Sequence, residues 1–180
     1  MQKCLVVALM LLVGPVVYSF AEDQAPAGPE QFIKKAAIGG MAEVQLGKLA
    51  LKQASNQDVK NFGQRMVEDH TKANKQLKEV ADRKGMQLPE KLDQEHQEMA
   101  DHLAKLKGAE FDKAYMSHMV KDHREDVSEF QQQAKSATDT DVKAFASQTL
   151  PTLEEHLSLA ERVAEKVGAP SGSGASSASR

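Results

Sequence analysis

The feature that most constrains this chain is a five-residue block, Met66-Val67-Glu68-Asp69-His70, which returns 53 residues later as Met119-Val120-Lys121-Asp122-His123. Four of the five positions match, and each histidine is followed seven residues on by an apolar side chain, Leu77 and Phe130. Both blocks lie in stretches where apolar residues recur every three or four positions, so each histidine falls on the buried stripe of an amphipathic helix. Two periods are too few for a solenoid, whose units stabilise one another by stacking. The block therefore predicts an internally duplicated helix pair. It also asks why each copy puts an imidazole where a leucine would pack.

The 180 residues suit one domain with a real core. Tryptophan is absent and aromatics make up only 4% of the chain, while helix formers dominate, so an all-α fold is expected.

Lys3, the apolar run Leu5 to Val17 and the small-x-small site Ser19-Phe20-Ala21 read as a secretory signal over residues 1–21. The run is too short for a spanning helix, which needs roughly 20 apolar residues, so no membrane span is expected after cleavage. Cys4, the single cysteine, would leave with the signal, excluding disulfides, thiolate ligands and a cysteine nucleophile from the mature domain. Export is the expectation, to the periplasm first, with outer-membrane association or secretion as alternatives. Loss of Lys3 leaves 22 basic against 26 acidic residues, a balance that argues against nucleic acid as a partner.

Residues 22–30 read as a flexible leader, 31–168 as the bundle domain and 169–180 as a disordered, low-complexity tail. Four long helices are expected at about 31–54, 57–84, 109–136 and 140–167, with a short amphipathic helix in the crossover between the second and third. Gly40 and Gly47 lie on the first stripe, where a missing side chain lets a neighbouring helix come close, and Pro151 predicts a kink one turn before His156.

Glu43, His70, His123 and His156 fall near the midpoints of the four long helices. Equal distance from the centre means equal depth in antiparallel helices, so the four are expected to share one layer. Inward imidazoles and carboxylates on separate helices are how bundles build metal sites. Met66 and Met119 stand one turn before His70 and His123 and would favour a soft ion. Asp69 and Asp122 either orient ligands or face water. His118 is expected at the bundle edge, and His96 and His102 in the crossover have no assigned role.

Gly39-Gly40-Met41-Ala42-Glu43, the block from Met66 to Ala73, Tyr115-Met116 with its following block, and Thr149-Leu150-Pro151-Thr152-Leu153 with His156 together resemble the bacterial domain-of-unknown-function family 4142. The resemblance covers about residues 31–167 and implies an exported, ferritin-like four-helix bundle, with no activity to carry over. Ferritin-like di-iron sites use Glu-x-x-His on two helices, whereas this chain has Val67-x-x-His70, Val120-x-x-His123 and Leu153-x-x-His156. A carboxylate-bridged oxygen-activating centre is therefore disfavoured.

The resulting expectation is one transition-metal ion, copper, zinc or iron, held by His70, His123 and His156, with Glu43, Met66 and Met119 as further ligands. Its role would be metal handling or envelope stress protection. No haem, nucleotide or catalytic residue is expected, and no protein partner is specified. The alternative is a metal-free structural or interaction protein in which the same residues form a buried polar layer.

Overall fold

The computed structural model describes residues 28–170. The expected signal, most of the leader and residues 171–180 of the tail lie outside the described residues. Five helices and no strand occur among the described residues: α1 (Pro29–Gln53), α2 (Gln57–Arg83), α3 (Gln94–Ala104), α4 (Gly108–Ser136) and α5 (Thr140–Val167).

Each limit has a local cause. Pro29 opens α1 two residues earlier than periodicity suggests, because a proline in the first turn forfeits no helical hydrogen bond. Asn56 caps α2 by accepting from Asp58 N–H at 2.8 Å, and Asp139 caps α5 by accepting from the N–H groups of Asp141 and Val142. Gly85 takes the left-handed conformation just past the end of α2, with φ 63°. Beyond α5, Ala169 N–H donates to the Ala164 carbonyl at 2.8 Å and Ser117 Oγ donates to the Pro170 carbonyl. Ala169 and Pro170 thus finish the bundle rather than begin the tail. Helix α5 runs through Pro151 as one element, since a missing N–H removes one backbone bond and not the helix.

Helices α1 and α2 form one hairpin and α4 and α5 another; α2 packs on α5, α1 on α4, and α3 lies over α1 and α4. Two apolar clusters fix the directions. One gathers Phe32, Leu77, Phe130 and Phe145, the other Ala54, Val59, Phe111 and Val163. Helices α1 and α5 therefore run from the first cluster to the second, and α2 and α4 run back. The segment containing α3 returns the chain along the bundle, giving a ferritin-like four-helix bundle with a short helix in its crossover.

The repeated block sits on α2 and α4, which stand diagonally across the bundle. The first copy closes its hairpin while the second opens the other, so the two helices built alike belong to different hairpins. The copies match because both helices place an inward histidine at the same depth.

Close approach of α1 and α2 depends on glycine. A Cβ on Gly47 would lie 2.6 Å from the Gly63 carbonyl oxygen, and one on Gly40 would lie 2.0 Å from Asn74 Oδ1.

Candidate metal centre

The layer lies between the two apolar clusters on every long helix. Along α1 the clusters are interrupted between Ala37 and Leu46, along α2 between Met66 and Leu77, along α4 between Val120 and Phe130, and along α5 between Leu153 and Ala160. Glu43, His70, His123 and His156 occupy those gaps and are 1%, 6%, 0% and 0% exposed. The three imidazole rings form a near-equilateral triangle, with centroids 5.4, 5.4 and 5.9 Å apart.

Hydrogen bonds fix two tautomers. His123 Nδ1–H donates to the Met119 carbonyl at 3.0 Å, because a carbonyl can only accept, and Nε2 is left buried without a partner. His156 does the reverse: Nε2–H donates to Asp69 Oδ2 at 2.8 Å, and Nδ1 is left without a partner. His70 Nε2 is also buried and unpartnered. Three unpartnered nitrogens in one buried layer are unusual, since buried polar atoms nearly always find a hydrogen bond.

Burial keeps these rings neutral. It lowers the His70 pKa to about 3, assisted by the neighbouring His123 and His156, and the His123 pKa to about 4, with Asp122 pulling the other way. Burial also lowers His156, although the bond to Asp69 opposes the shift. Partial burial opposes the charge of Asp69, but hydrogen bonds from His156 and Arg65 hold it below the usual carboxylate range.

One nitrogen from each ring lies within 4.8 Å of the other two. Ligand nitrogens on a tetrahedral ion with bonds of about 2.0–2.1 Å stand about 3.4 Å apart, so closing on an ion asks for a contraction of about 1.4 Å at most. Neutral rings with free lone pairs suit a borderline ion such as Cu(II) or Zn(II).

Glu43 joins a second group, with Asp122 and His123, rather than the full triangle. Burial pushes its pKa well above the usual range, and the charge of Asp122 and a hydrogen bond to it add to the shift. Two carboxyls can share a hydrogen bond only if one of them keeps a proton, and the raised pKa puts it on Glu43, whose Oε2 is buried without a partner. Burial opposes ionisation of Asp122 too, yet that bond and the nearby His118 and His123 keep its pKa low.

The sequence pattern of a domain of unknown function, DUF4142, matches residues 18–163. The chain belongs to this family. No curated protein matches it in sequence. Among solved structures, a DUF305 fragment from Deinococcus radiodurans is 17% identical with a TM-score of 0.66, covering 79% of this chain and 99% of its own. A DUF305 protein from Streptomyces coelicolor, described as a candidate secreted protein, is 13% identical with a TM-score of 0.67, covering 81% and 95%. CopM in its Cu(II)-bound form is 15% identical with a TM-score of 0.66, covering 79% and 99%. These likenesses show the shared fold. Among the described residues of this DUF4142 chain, no helix is long and apolar enough to cross a membrane.

In the DUF4142 layer, Met66 and Met119 are fully buried within the apolar cluster on one side of the triangle. Asp69 orients a histidine, but His156 of α5 rather than its own neighbour His70. Arg65, which the sequence did not single out, donates to Asp69 at 3.2 Å and to Glu155 at 2.5 Å, tying α2 to α5 beside the layer. Its position four residues before Asp69 is a signal for the first contact only. Tyr115 is likewise new to the site: its hydroxyl is buried without a partner, and burial, reinforced by Glu43, pushes its pKa well above the phenolic norm.

Proposed function

We propose that this is an exported bundle protein that holds one transition-metal ion on His70, His123 and His156, in metal handling or envelope stress protection. The observation that carries the reading is the set of buried, neutral imidazoles whose unpartnered nitrogens a metal would satisfy. Copper is favoured among copper, zinc and iron by the likeness to CopM in its Cu(II)-bound form, together with a ligand set of neutral imidazoles. When bound, the ion would supply a positive charge that draws Glu43 toward ionisation. Asp69 would keep the His156 ring in its ligating tautomer, and the Met119 carbonyl would do the same for His123. For Cu(I), Met66 and Met119 are the thioethers one turn from His70 and His123. Export is supported by the signal-like N-terminus and by the secreted description of the Streptomyces neighbour.

The test is titration of the purified protein with Cu(II), Zn(II) and Fe(II), reading stoichiometry and thermal midpoint. An ion at 100 times its dissociation constant raises stability by about 2.7 kcal/mol. His70→Ala, His123→Ala and His156→Ala should each abolish that gain. If the melt stays unmoved by every ion, the same residues are a polar layer that fixes helix register, the second reading, which the bonds to Asp69 and the Met119 carbonyl favour.

A further inference from the structure

The histidine triangle is buried and has an apolar cluster on either side along the bundle, so an ion must arrive from the flank. One flank is open. A groove of about 840 Å³ runs between α3 and α4, walled by His96 and Met99 on α3 and by His118 and Asp122 on α4. His118 and Asp122 are four residues apart and so share one helix face. Asp122 lines the groove and is half-buried, and a carboxylate oxygen of this residue lies within 4.8 Å of ligand atoms of Glu43 and His123. It therefore belongs to the groove and to the core at once. A second branch leads inward: Lys35, Gly39 and Asp126 line both this groove and a cavity of about 30 Å³ that reaches His70.

His96 is prepared as a ligand. Its Nδ1–H donates to Asp93 Oδ1 at 2.6 Å, which leaves the Nε2 lone pair free. This is the arrangement that Asp69 gives His156, and it is the usual one for metal-binding imidazoles.

We propose that the groove between α3 and α4 is the port of the metal centre, where His96 and His118 capture a divalent ion of the Cu(II) or Zn(II) type and Asp122 hands it to His123. The proposal rests on the reading of the triangle as a metal site. It gives a use to the crossover helix and to two histidines that the core leaves aside.

The experiment is stopped-flow loading of the full protein with Cu(II) supplied as its glycine complex, followed by ligand-field absorption. Parent, His96→Ala, His96→Ala/His118→Gln and His123→Ala are compared. Glutamine preserves the bulk of His118, and circular dichroism checks each fold. The double variant should load about tenfold more slowly than the parent, the scale on which charge and polarity at a site entrance act on association rates. Its final stoichiometry and competition-derived affinity should stay within about twofold of the parent, because a port used in both directions alters rates and not equilibrium. His96→Ala alone should fall between the two. A double variant that loads at the parental rate overturns the port alone. A folded double variant that binds no ion makes His96 and His118 the site itself and also overturns it. A parent that takes up no Cu(II) ends both the core reading and the port.

Discussion

Asp69 on α2 accepts a hydrogen bond at 2.8 Å from Nε2 of His156 on α5, so the carboxylate next to His70 in the chain serves a histidine 87 positions away. Together with the bond from His123 to the Met119 carbonyl, it leaves the two best-defined rings of the layer in opposite tautomers, Nε2–H for His156 and Nδ1–H for His123. Imidazole 15N–1H correlation spectra of the metal-free protein should show that pair of patterns. In Asp69→Ala the His156 pattern should become mixed while His123 is unchanged. Metal affinity in the same variant should fall by about 10–100-fold with stoichiometry retained, as found when the partner of a ligating histidine is removed.

Affinity should also be unusually tolerant of acid. At pH 5.5 an ordinary imidazole is about nine-tenths protonated, so each would cost about tenfold in metal affinity relative to pH 7.5. His70 and His123, with pKa values of about 3 and about 4, are still neutral there. Chelator competition at the two pH values should therefore show a total loss under about tenfold, against about a thousandfold for three ordinary rings. A loss near the larger figure would mean that the rings are solvated in the folded protein.

The same depressed values bear on folding. His70 binds a proton in the unfolded chain below about pH 6.5 but not in the native state until about pH 3, so its contribution is complete at neutral pH and is lost as pH falls through that window. Glu43 and Asp126, both pushed up by burial, act in the opposite sense, so the parent's own pH curve blends these effects. A difference measurement separates them. Relative to its value at pH 7.5, the stability of His70→Leu measured against the parent should improve by about 2 kcal/mol at pH 5. Urea unfolding at the two pH values reads it directly.

Gly47→Ala should destabilise despite alanine's advantage of about 1 kcal/mol in helix propensity. The added methyl would meet the Gly63 carbonyl oxygen at 2.6 Å, a backbone atom that cannot swing aside. Overpacking of this kind costs about 1–3 kcal/mol, visible as a lowered denaturant midpoint with an unchanged slope. Gly39→Ala is the control: its Cβ would meet nothing within 4 Å, and the variant should be at least as stable as the parent.

The helices were legible because stripe spacing, caps and stop signals agree at most boundaries, although α1 and α4 open without a side-chain cap. Asn56, Asp139 and Gly85 all sit where local chemistry puts them. The layer was legible for a simpler reason: depth in a bundle follows from distance to the helix centre, so His70, His123 and His156 could be aligned by counting. What counting could not supply was lateral order. Asp69 and His70 are neighbours in sequence, yet consecutive helical residues point about 100° apart, and which of them meets α5 depends on helix rotation. Glu43 shows the same limit: its depth is right, but its partner is the Asp122 carboxylate. His96 lay on the stripe of the crossover helix and His118 at the bundle edge, and neither took a role in the sequence because the groove that both line exists only once α3 packs on α4.

The two greasy stoppers on either side of the imidazole layer have one more effect. An ion lodged at the waist has no polar route along the axis, so it must leave by the flank through which it came. Retention is thereby set at the side of the barrel, which makes dwell time a property of the scaffold as much as of the bonds inside it.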